Sequence, residues 1–167
     1  LRPDDDTRGL SWLPLHHDMG LIGGALTPLC VGFPIYLMTP ECFLMRPWRW
    51  LRAISEHRIN WSVAPNFAYQ YCVDRIGPEQ RAGLDLSSWH TAIVGAEPVR
   101  QTTLTAFSEA FGAYGFAERA FVPCYGLAEA TLLVTGAARG AELRTSGTSI
   151  GCGRSWGSTE VRVVEAS

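Results

Sequence analysis

Short apolar runs recur at regular intervals along the chain and are separated by segments with helical periodicity. The apolar runs cover residues 34–38, 61–64, 91–94 and 121–124. Runs of this length, free of alternating polar positions, are typical of strands that are buried on both faces of a parallel sheet. They predict four buried strands.

The segments between these runs predict helices. Pro47 stands where a helix commonly begins, and Trp48, Leu51 and Ile54 then fall on one face. Further helices are expected over the segments 67–76, 100–114 and 127–133. The alternation of strands and helices predicts an α/β fold, with helices flanking a parallel sheet and right-handed crossovers between strands.

The carboxyl-terminal part of the chain has a different composition. Residues 137–157 are rich in Gly, Ser and Thr, and residues 161–165 alternate like an exposed strand. We therefore expect a partial α/β unit over residues 1–136. Residues 137–167 would form a linking segment and the start of a β-rich subdomain.

Residues 19–40 carry no charged side chain and raise the question of a membrane span. Glycines such as Gly20 and Gly24, together with Pro28 and Pro34, would break a spanning helix. We therefore interpret the segment as buried, partly irregular chain that lines a core or a pocket, and we expect no transmembrane segment.

Composition and charge exclude several classes of function. The chain has 167 residues, 47% of them hydrophobic, and a formal net charge of −2. This composition supports a folded core, and the near-neutral balance argues against nucleic acid as a partner. All 14 basic residues are arginine. A Walker A lysine and a Schiff-base lysine are therefore absent from the chain.

The cysteines and histidines do not form a recognisable metal-binding pattern. The five cysteines are dispersed and include no CxxC pair, which is typical of reduced thiols and indicates a cytoplasmic protein. His16, His17 and Asp18 are consecutive, and adjacent side chains seldom point at one centre. We expect no zinc site.

Two predicted strands end in residues with ligand-binding potential. In an open parallel sheet, ligands bind beyond the carboxyl ends of the strands. Gly95 begins a Gly-Ala-Glu-Pro turn that could bring backbone groups to a flat ligand. Tyr125 could stack on a base, and Glu129 could reach a divalent cation. Each feature also has a purely structural interpretation: an ordinary turn, core packing, and an acidic residue in a first helical turn.

The motifs together resemble the fatty acyl-AMP ligases, which are adenylate-forming enzymes related to acyl-CoA synthetases. The resemblance extends from about Ser11 to Glu165. It is carried, in order, by SWLPLHHDMGLIGG, APNFAY, LDLSSW, GAEPVR, PCYGLAEATLL and CGRSWG. It implies part of the large amino-terminal domain of such an enzyme.

The resemblance also implies an activity. Such enzymes use ATP and Mg²⁺ to convert a fatty acid into acyl-AMP and pyrophosphate. The acyl group then passes to an acyl carrier protein, or to a carrier domain of a polyketide or peptide synthase.

The resemblance assigns roles to particular residues. His17 would stand at the junction of the acyl and nucleotide sites and Glu129 would bind Mg²⁺, both as catalytic residues. The adenine would be flanked or stacked by Gly95, Ala96, Glu97, Pro98, Tyr125 and Gly126. The acyl channel would be lined by Met19, Asn66 and Phe67.

Some features of that family are missing from the sequence. It contains neither the phosphate loop ending in Pro-Lys-Gly nor a catalytic lysine. We therefore expect this chain to be a central fragment that is inactive alone. The segment between Thr131 and Gly151 is shorter than in acyl-AMP ligases, so an acyl-CoA ligase fragment is an alternative. A non-catalytic nucleotide- or lipid-binding remnant is a third interpretation.

A hydrolase-like GxSxG sequence at residues 147–151 has another explanation. Neither Asp nor His follows Ser149, and the flanking sequence is rich in glycine. A serine hydrolase of this type requires an acid and a histidine later in the chain. We therefore interpret the segment as a turn.

Overall fold

A computed structural model describes residues 3–162 and residue 164. Its main feature is a sheet of seven strands: β1 (Gly9–Ser11), β2 (Ile35–Leu37), β3 (Trp61–Pro65), β4 (Thr91–Gly95), β5 (Phe121–Gly126), β6 (Leu133–Gly136) and β9 (Arg154–Ser155). Their order in the sheet is β2-β1-β3-β4-β5-β6-β9. The first five in this order are parallel, and β6 and β9 are each antiparallel to the preceding strand. A separate hairpin consists of β7 (Thr145–Ser146) and β8 (Ser149–Ile150).

Helices connect the parallel strands. A π-helix over Met19–Leu26 is followed by α1 (Thr27–Val31), α2 (Pro40–Met45), α3 (Trp48–Glu56), α4 (Asn66–Arg75), α5 (Pro78–Arg81) and α6 (Gln101–Phe111). Single 3₁₀ turns lie at Gly112–Tyr114, Glu118–Ala120 and Ala128–Ala130. The four predicted strands and the helices expected after Pro47 and over 67–76 and 100–114 are confirmed, with small shifts of their ends. The sequence patterns did not identify β1, α1, α2 or α5.

The helix predicted over residues 127–133 is wrong. The chain makes one 3₁₀ turn there and then reverses into β6, which pairs antiparallel with β5. The backbone N–H of Leu127 donates to the Leu132 carbonyl at 2.9 Å, which closes the reversal. Pairing with β5 satisfies the backbone of this segment and buries Val134, so the long-range contact overrides the local helical tendency.

The uncharged segment is helical from Met19 to Val31 and then continues into β2, so less of it is irregular than expected. Its glycines let it approach β1, because a Cβ on Gly24 would lie 2.5 Å from the Ser11 hydroxyl oxygen. Met19 is buried as expected, whereas Leu29 on α1 is largely exposed. Among the described residues, no helix is long and apolar enough to cross a membrane.

The larger core lies between one face of the sheet and helices α3, α4 and α6. Its largest fully buried side chains include Trp50, Tyr69, Trp89 and Phe107, whose rings contact one another edge to face or stacked. Their polar atoms are satisfied: the Trp50 indole N–H donates to the Ser62 hydroxyl at 3.1 Å. A smaller buried cluster lies on the other face of the sheet, because successive side chains of a strand point to opposite faces. It consists of Met19, Phe33, Trp61, Val63, Ile93 and Val122.

The carboxyl-terminal segment contributes one strand to the main sheet. Gly147 has φ of +60° at the tip of the β7–β8 hairpin, so the GxSxG sequence begins in a turn, as predicted, and then enters β8. The strand predicted over 161–165 includes residues 163 and 165, which lie outside the described residues, and Val161, Arg162 and Val164 have no regular structure. The division of the chain after residue 136 stays a prediction.

Candidate functional site

A cavity of about 500 Å³ lies on the face of the sheet that carries the smaller cluster. It is bounded by the π-helix on one side and by the reversal between β5 and β6 on the other. The apolar part of its wall comes from Met19, Ile22, Val63, Ile93 and Leu132. A cavity of this size with an apolar wall suits an alkyl chain or an aromatic group.

His17 and Asp18 stand at the edge of this cavity, at the start of the π-helix. The Nδ1 atom of His17 lies 2.7 Å from Asp18 Oδ1, which also accepts the Met19 backbone N–H at 2.7 Å. The same Met19 nitrogen is 3.2 Å from Nδ1. These contacts of Nδ1 with Asp18 and the Met19 backbone orient the imidazole, and within the described residues no hydrogen bond involves Nε2.

The turn after β4 reaches the cavity through Ala96. Gly95 is required at the strand end, because a Cβ there would lie 2.8 Å from the backbone oxygen and the sulfur of Cys124. Ala96 adopts φ of +64°, and Ala96, Glu97 and Pro98 are exposed. The turn therefore presents backbone groups to solvent beside the cavity.

Glu97 also has a structural role. Its Oε1 atom accepts the backbone N–H of Phe67 at 2.6 Å, at the start of α4. A carboxylate in this position satisfies one of the open N–H groups of a helix terminus and interacts favourably with the helix dipole. The contact fixes the turn after β4 against the end of β3.

The end of β5 is the second strand end at this site. Tyr125 is 52% exposed, so its ring is open to a ligand rather than packed in the core. Gly126 lines the cavity, and a Cβ there would collide with the Leu132 carbonyl. Glu129 is exposed in the 3₁₀ turn and not in a longer helix as the sequence suggested.

Asn66 and Phe67 lie apart from the cavity wall. Asn66 is buried, accepts the Arg100 backbone N–H at 3.0 Å and has its side-chain nitrogen 3.4 Å from the Thr103 hydroxyl. It therefore joins the start of α4 to the start of α6. The partly exposed Phe67 ring lies edge-on to the Trp12 ring, with 6.3 Å between the two ring centroids. The predicted role of Asn66 and Phe67 in an acyl channel stays a prediction.

The structure thus brings His17, Met19, Ala96 and Gly126 together around one cavity. Sequence reasoning missed other wall residues, among them Trp61, Val63, Thr131, Leu132 and Trp156. The alternation of side chains along β3 could have predicted that Trp61 and Val63 share one face of that strand. The others reach the cavity only through chain reversals in the β5–β6 region and the tail.

Cys124 also lines the cavity, but burial makes it a poor nucleophile. Desolvation, with a smaller contribution from Cys152, raises the pKa of the Cys124 thiol to about 12. The thiol therefore stays protonated near neutral pH, where nucleophilic attack requires the thiolate. None of the five cysteines is in a disulfide.

A sequence profile of AMP-binding enzymes matches residues 1–167. The chain belongs to this family. It is 51% identical over 139 residues to the medium-chain-fatty-acid–[acyl-carrier-protein] ligase JamA of Moorena producens, a match that covers 83% of this chain and 24% of that protein. It is 45% identical over 123 residues to the probable long-chain-fatty-acid–AMP ligase FadD30 of Mycobacterium tuberculosis, covering 74% and 21% of the two chains.

Solved structures of family members share the fold. The crystal structure of fatty acyl-adenylate ligase from L. pneumophila, in complex with acyl adenylate and pyrophosphate, matches with a TM-score of 0.83 and 54% identity. The match covers 84% of this chain and 25% of that one. The α/β fold and the resemblance to fatty acyl-AMP ligases are therefore confirmed. The chain spans about a quarter of the length of these relatives.

Proposed function

We propose that this chain forms the acyl-binding wall and part of the adenine site of a cytoplasmic enzyme that activates fatty acids. The reaction joins a fatty acid to ATP to give acyl-AMP and pyrophosphate, and a carrier-protein thiol then accepts the acyl group. The observation that carries the proposal is the apolar cavity whose edge is formed by the two strand-end turns at Ala96 and Gly126. Similarity to ligases of medium- and long-chain fatty acids supports it.

The geometry suits a substrate with one apolar end and one charged end. The alkyl chain would lie against Met19, Ile22 and Leu132, where burial of each CH₂ contributes about 0.8 kcal/mol. The carboxylate end would lie near His17. A carboxylate oxygen attacks the α-phosphorus as the bond from that phosphorus to pyrophosphate breaks, so the protein's main task is to position the two reactants.

The nucleotide would occupy the exposed side of the strand ends. The Tyr125 ring supplies a flat face for adenine, and the turn from Gly95 to Pro98 supplies backbone groups along its edge. Because Tyr125 is exposed and the turn is fixed through Glu97, binding of the base requires little rearrangement.

Magnesium fits this site in a limited sense. Within the described residues, no group of three or more His, Cys, Asp or Glu side chains could enclose a metal ion. Mg²⁺ in nucleotide sites is held by one or two carboxylates together with phosphate oxygens and water, and the exposed Glu129 could supply one such oxygen. The ion would offset the negative charge of the phosphates during the reaction.

The proposal is tested with the complete gene product. Fatty acids of increasing length are assayed by ATP–pyrophosphate exchange, and acyl-AMP is identified by mass spectrometry. Fatty-acid-dependent exchange is expected, followed by transfer to a carrier protein. Exchange with no fatty-acid dependence would contradict the proposal, and transfer to coenzyme A alone would favour an acyl-CoA ligase. The 167-residue chain by itself should give no exchange.

A further inference from the structure

The turn after β4, residues 95–98, lies beside the first turn of α4. The register of the parallel strands places Pro65, at the end of β3, opposite Gly95, at the end of β4. Because both strands end at the same edge of the sheet, the segments that follow them are neighbours. Two side chains join these segments, and they do so in opposite directions.

The first contact extends from the turn to the helix. Pro65 precedes α4 and makes no side-chain hydrogen bond to the start of that helix. The Glu97 carboxylate supplies the missing acceptor, because its Oε1 atom lies 2.6 Å from the Phe67 backbone nitrogen. The carboxylate thereby satisfies one of the open N–H donors of a helix terminus.

The second contact extends from the helix to the chain just beyond the turn. Asn66 Oδ1 accepts the backbone N–H of Arg100 at 3.0 Å. The Asn66 side-chain nitrogen lies 3.4 Å from the hydroxyl of Thr103, and both residues are buried. A buried side chain that loses such an acceptor leaves the facing N–H group without its partner, which is costly. Asn66 therefore holds the segment that carries the turn.

The β7–β8 hairpin holds the same segment from the other side. The Val99 carbonyl accepts the Ile150 N–H at 2.8 Å, and the Gln101 N–H donates to the Thr148 carbonyl at 3.1 Å. The N–H of Arg100, between them, is bonded to α4 and not to the hairpin. The chain that follows the turn is thus fixed on two sides, and α4 supplies one of them.

We propose that Asn66 is a positioning residue for the nucleotide, acting through the turn after β4, rather than a residue of the acyl channel. The inference rests on the proposed function, which places adenine beside this turn. Asn66 is only 7% exposed and lies apart from the cavity wall, so it acts through the backbone that it holds. Loss of its acceptor should loosen the turn and leave the apolar wall unchanged.

The test compares variants of Asn66 with a matched control in the complete gene product. Asn66→Leu removes the acceptor at similar size, whereas Asn66→Asp retains an acceptor oxygen for the Arg100 N–H. The control, Thr103→Val, removes the other partner of Asn66 and keeps its contact with Arg100. The KM values for ATP and for fatty acid are measured separately by pyrophosphate exchange. Binding of a non-hydrolysable ATP analogue by calorimetry and the melting temperature are measured on the same samples.

We expect Asn66→Leu to raise the KM for ATP and the Kd of the analogue about three- to tenfold, as for loss of one buried hydrogen bond. The KM for fatty acid and the chain-length preference should stay unchanged. Asn66→Asp should restore most of the nucleotide affinity. Thr103→Val should lower the melting temperature without changing the KM for ATP. Asn66→Ala should repeat the leucine result and guards against misfolding caused by the larger side chain.

An unchanged KM for ATP in Asn66→Leu and Asn66→Ala would overturn the inference, as would an equal increase in Thr103→Val. A changed chain-length preference with normal nucleotide affinity would also overturn it and would place Asn66 in the acyl channel. Failure of the proposed function looks different, because the wild-type protein would then form no acyl-AMP. Analogue binding that still depends on Asn66 would reject the activity and keep the positioning role, whereas no analogue binding by the wild type would overturn both.

Discussion

The two faces of the sheet are built differently. On one face, helices α3, α4 and α6 enclose a continuous aromatic core in which Trp50, Tyr69 and Phe107 are fully buried. On the other, a small cluster around Trp61 and Val63 is covered only in part, and a cavity of about 500 Å³ remains. The first arrangement gives stability, and the second leaves room for a ligand at the strand ends.

Removal of an aromatic ring from the first face should have the largest effect. Trp50→Ala deletes a fully buried ring that contacts Trp12, Phe43, Tyr69 and Trp89. It should lower the free energy of unfolding by about 3–5 kcal/mol, measured by denaturant titration. Ile22→Ala on the cavity wall is the control and should cost much less, because its side chain is only half-buried. Equal losses of unfolding free energy in the two variants would show that the two faces contribute equally to stability.

The chain reversal after β5 should be the next most sensitive feature. Gly126→Ala places a Cβ against the Leu132 carbonyl and should destabilise the chain by about 2 kcal/mol while disturbing the cavity wall. Gly112→Ala is the matched control, since open space surrounds that position and its φ of −60° suits alanine. The control should be neutral or slightly stabilising in thermal unfolding. Similar melting temperatures for the two variants would contradict the prediction that the chain reversal requires glycine at position 126.

Tyr125 should affect the ligand rather than the fold. In the complete gene product, Tyr125→Ala should weaken ATP binding about ten- to a hundredfold, because base–aromatic stacking is worth about 1–3 kcal/mol. Tyr125→Phe should retain most of the affinity. The melting temperature should change little, since the ring is half exposed. A large stability loss with normal ATP affinity would instead make Tyr125 a packing residue.

Glu129 should influence the metal requirement. Glu129→Gln in the complete gene product keeps the side-chain size and removes the negative charge. It should slow acyl-AMP formation and raise the Mg²⁺ concentration needed for half-maximal rate. The exposed side chain predicts unchanged stability. If the Mg²⁺ dependence equals that of the wild type, the metal-binding assignment is wrong.

The smallest expected effect concerns cavity depth. Gly23 lines the cavity, and a Cβ there would lie 3.5 Å from Leu132 Cδ2 and 3.9 Å from Val63 Cγ1. Gly23→Ala should therefore fit, whereas Gly23→Leu should fill the cavity. In the complete gene product, the leucine variant should shift the preference toward shorter fatty acids. An unchanged chain-length profile would place the alkyl chain elsewhere.

The sequence predicted the first face better than the second, for physical reasons. Regular periodicity identifies buried strands and amphipathic helices such as α3, because local pattern and final burial agree there. Residues 127–133 gave the wrong prediction, because an antiparallel partner 124–126 decides their structure and no local pattern encodes it. Thr131 and Leu132 line the cavity only because the chain reverses between β5 and β6, so their contribution could not be predicted from the sequence for the same reason.

The most direct test of the central claim locates the alkyl chain. A fatty acid with a photoreactive diazirine near its end is bound with ATP to the complete gene product, irradiated, and mapped by mass spectrometry. Labelling is expected on the cavity wall, at Met19, Ile22 and Leu132, and should be suppressed by excess unlabelled fatty acid. Specific labelling confined to the outer surfaces of α4 and α6 would contradict the account.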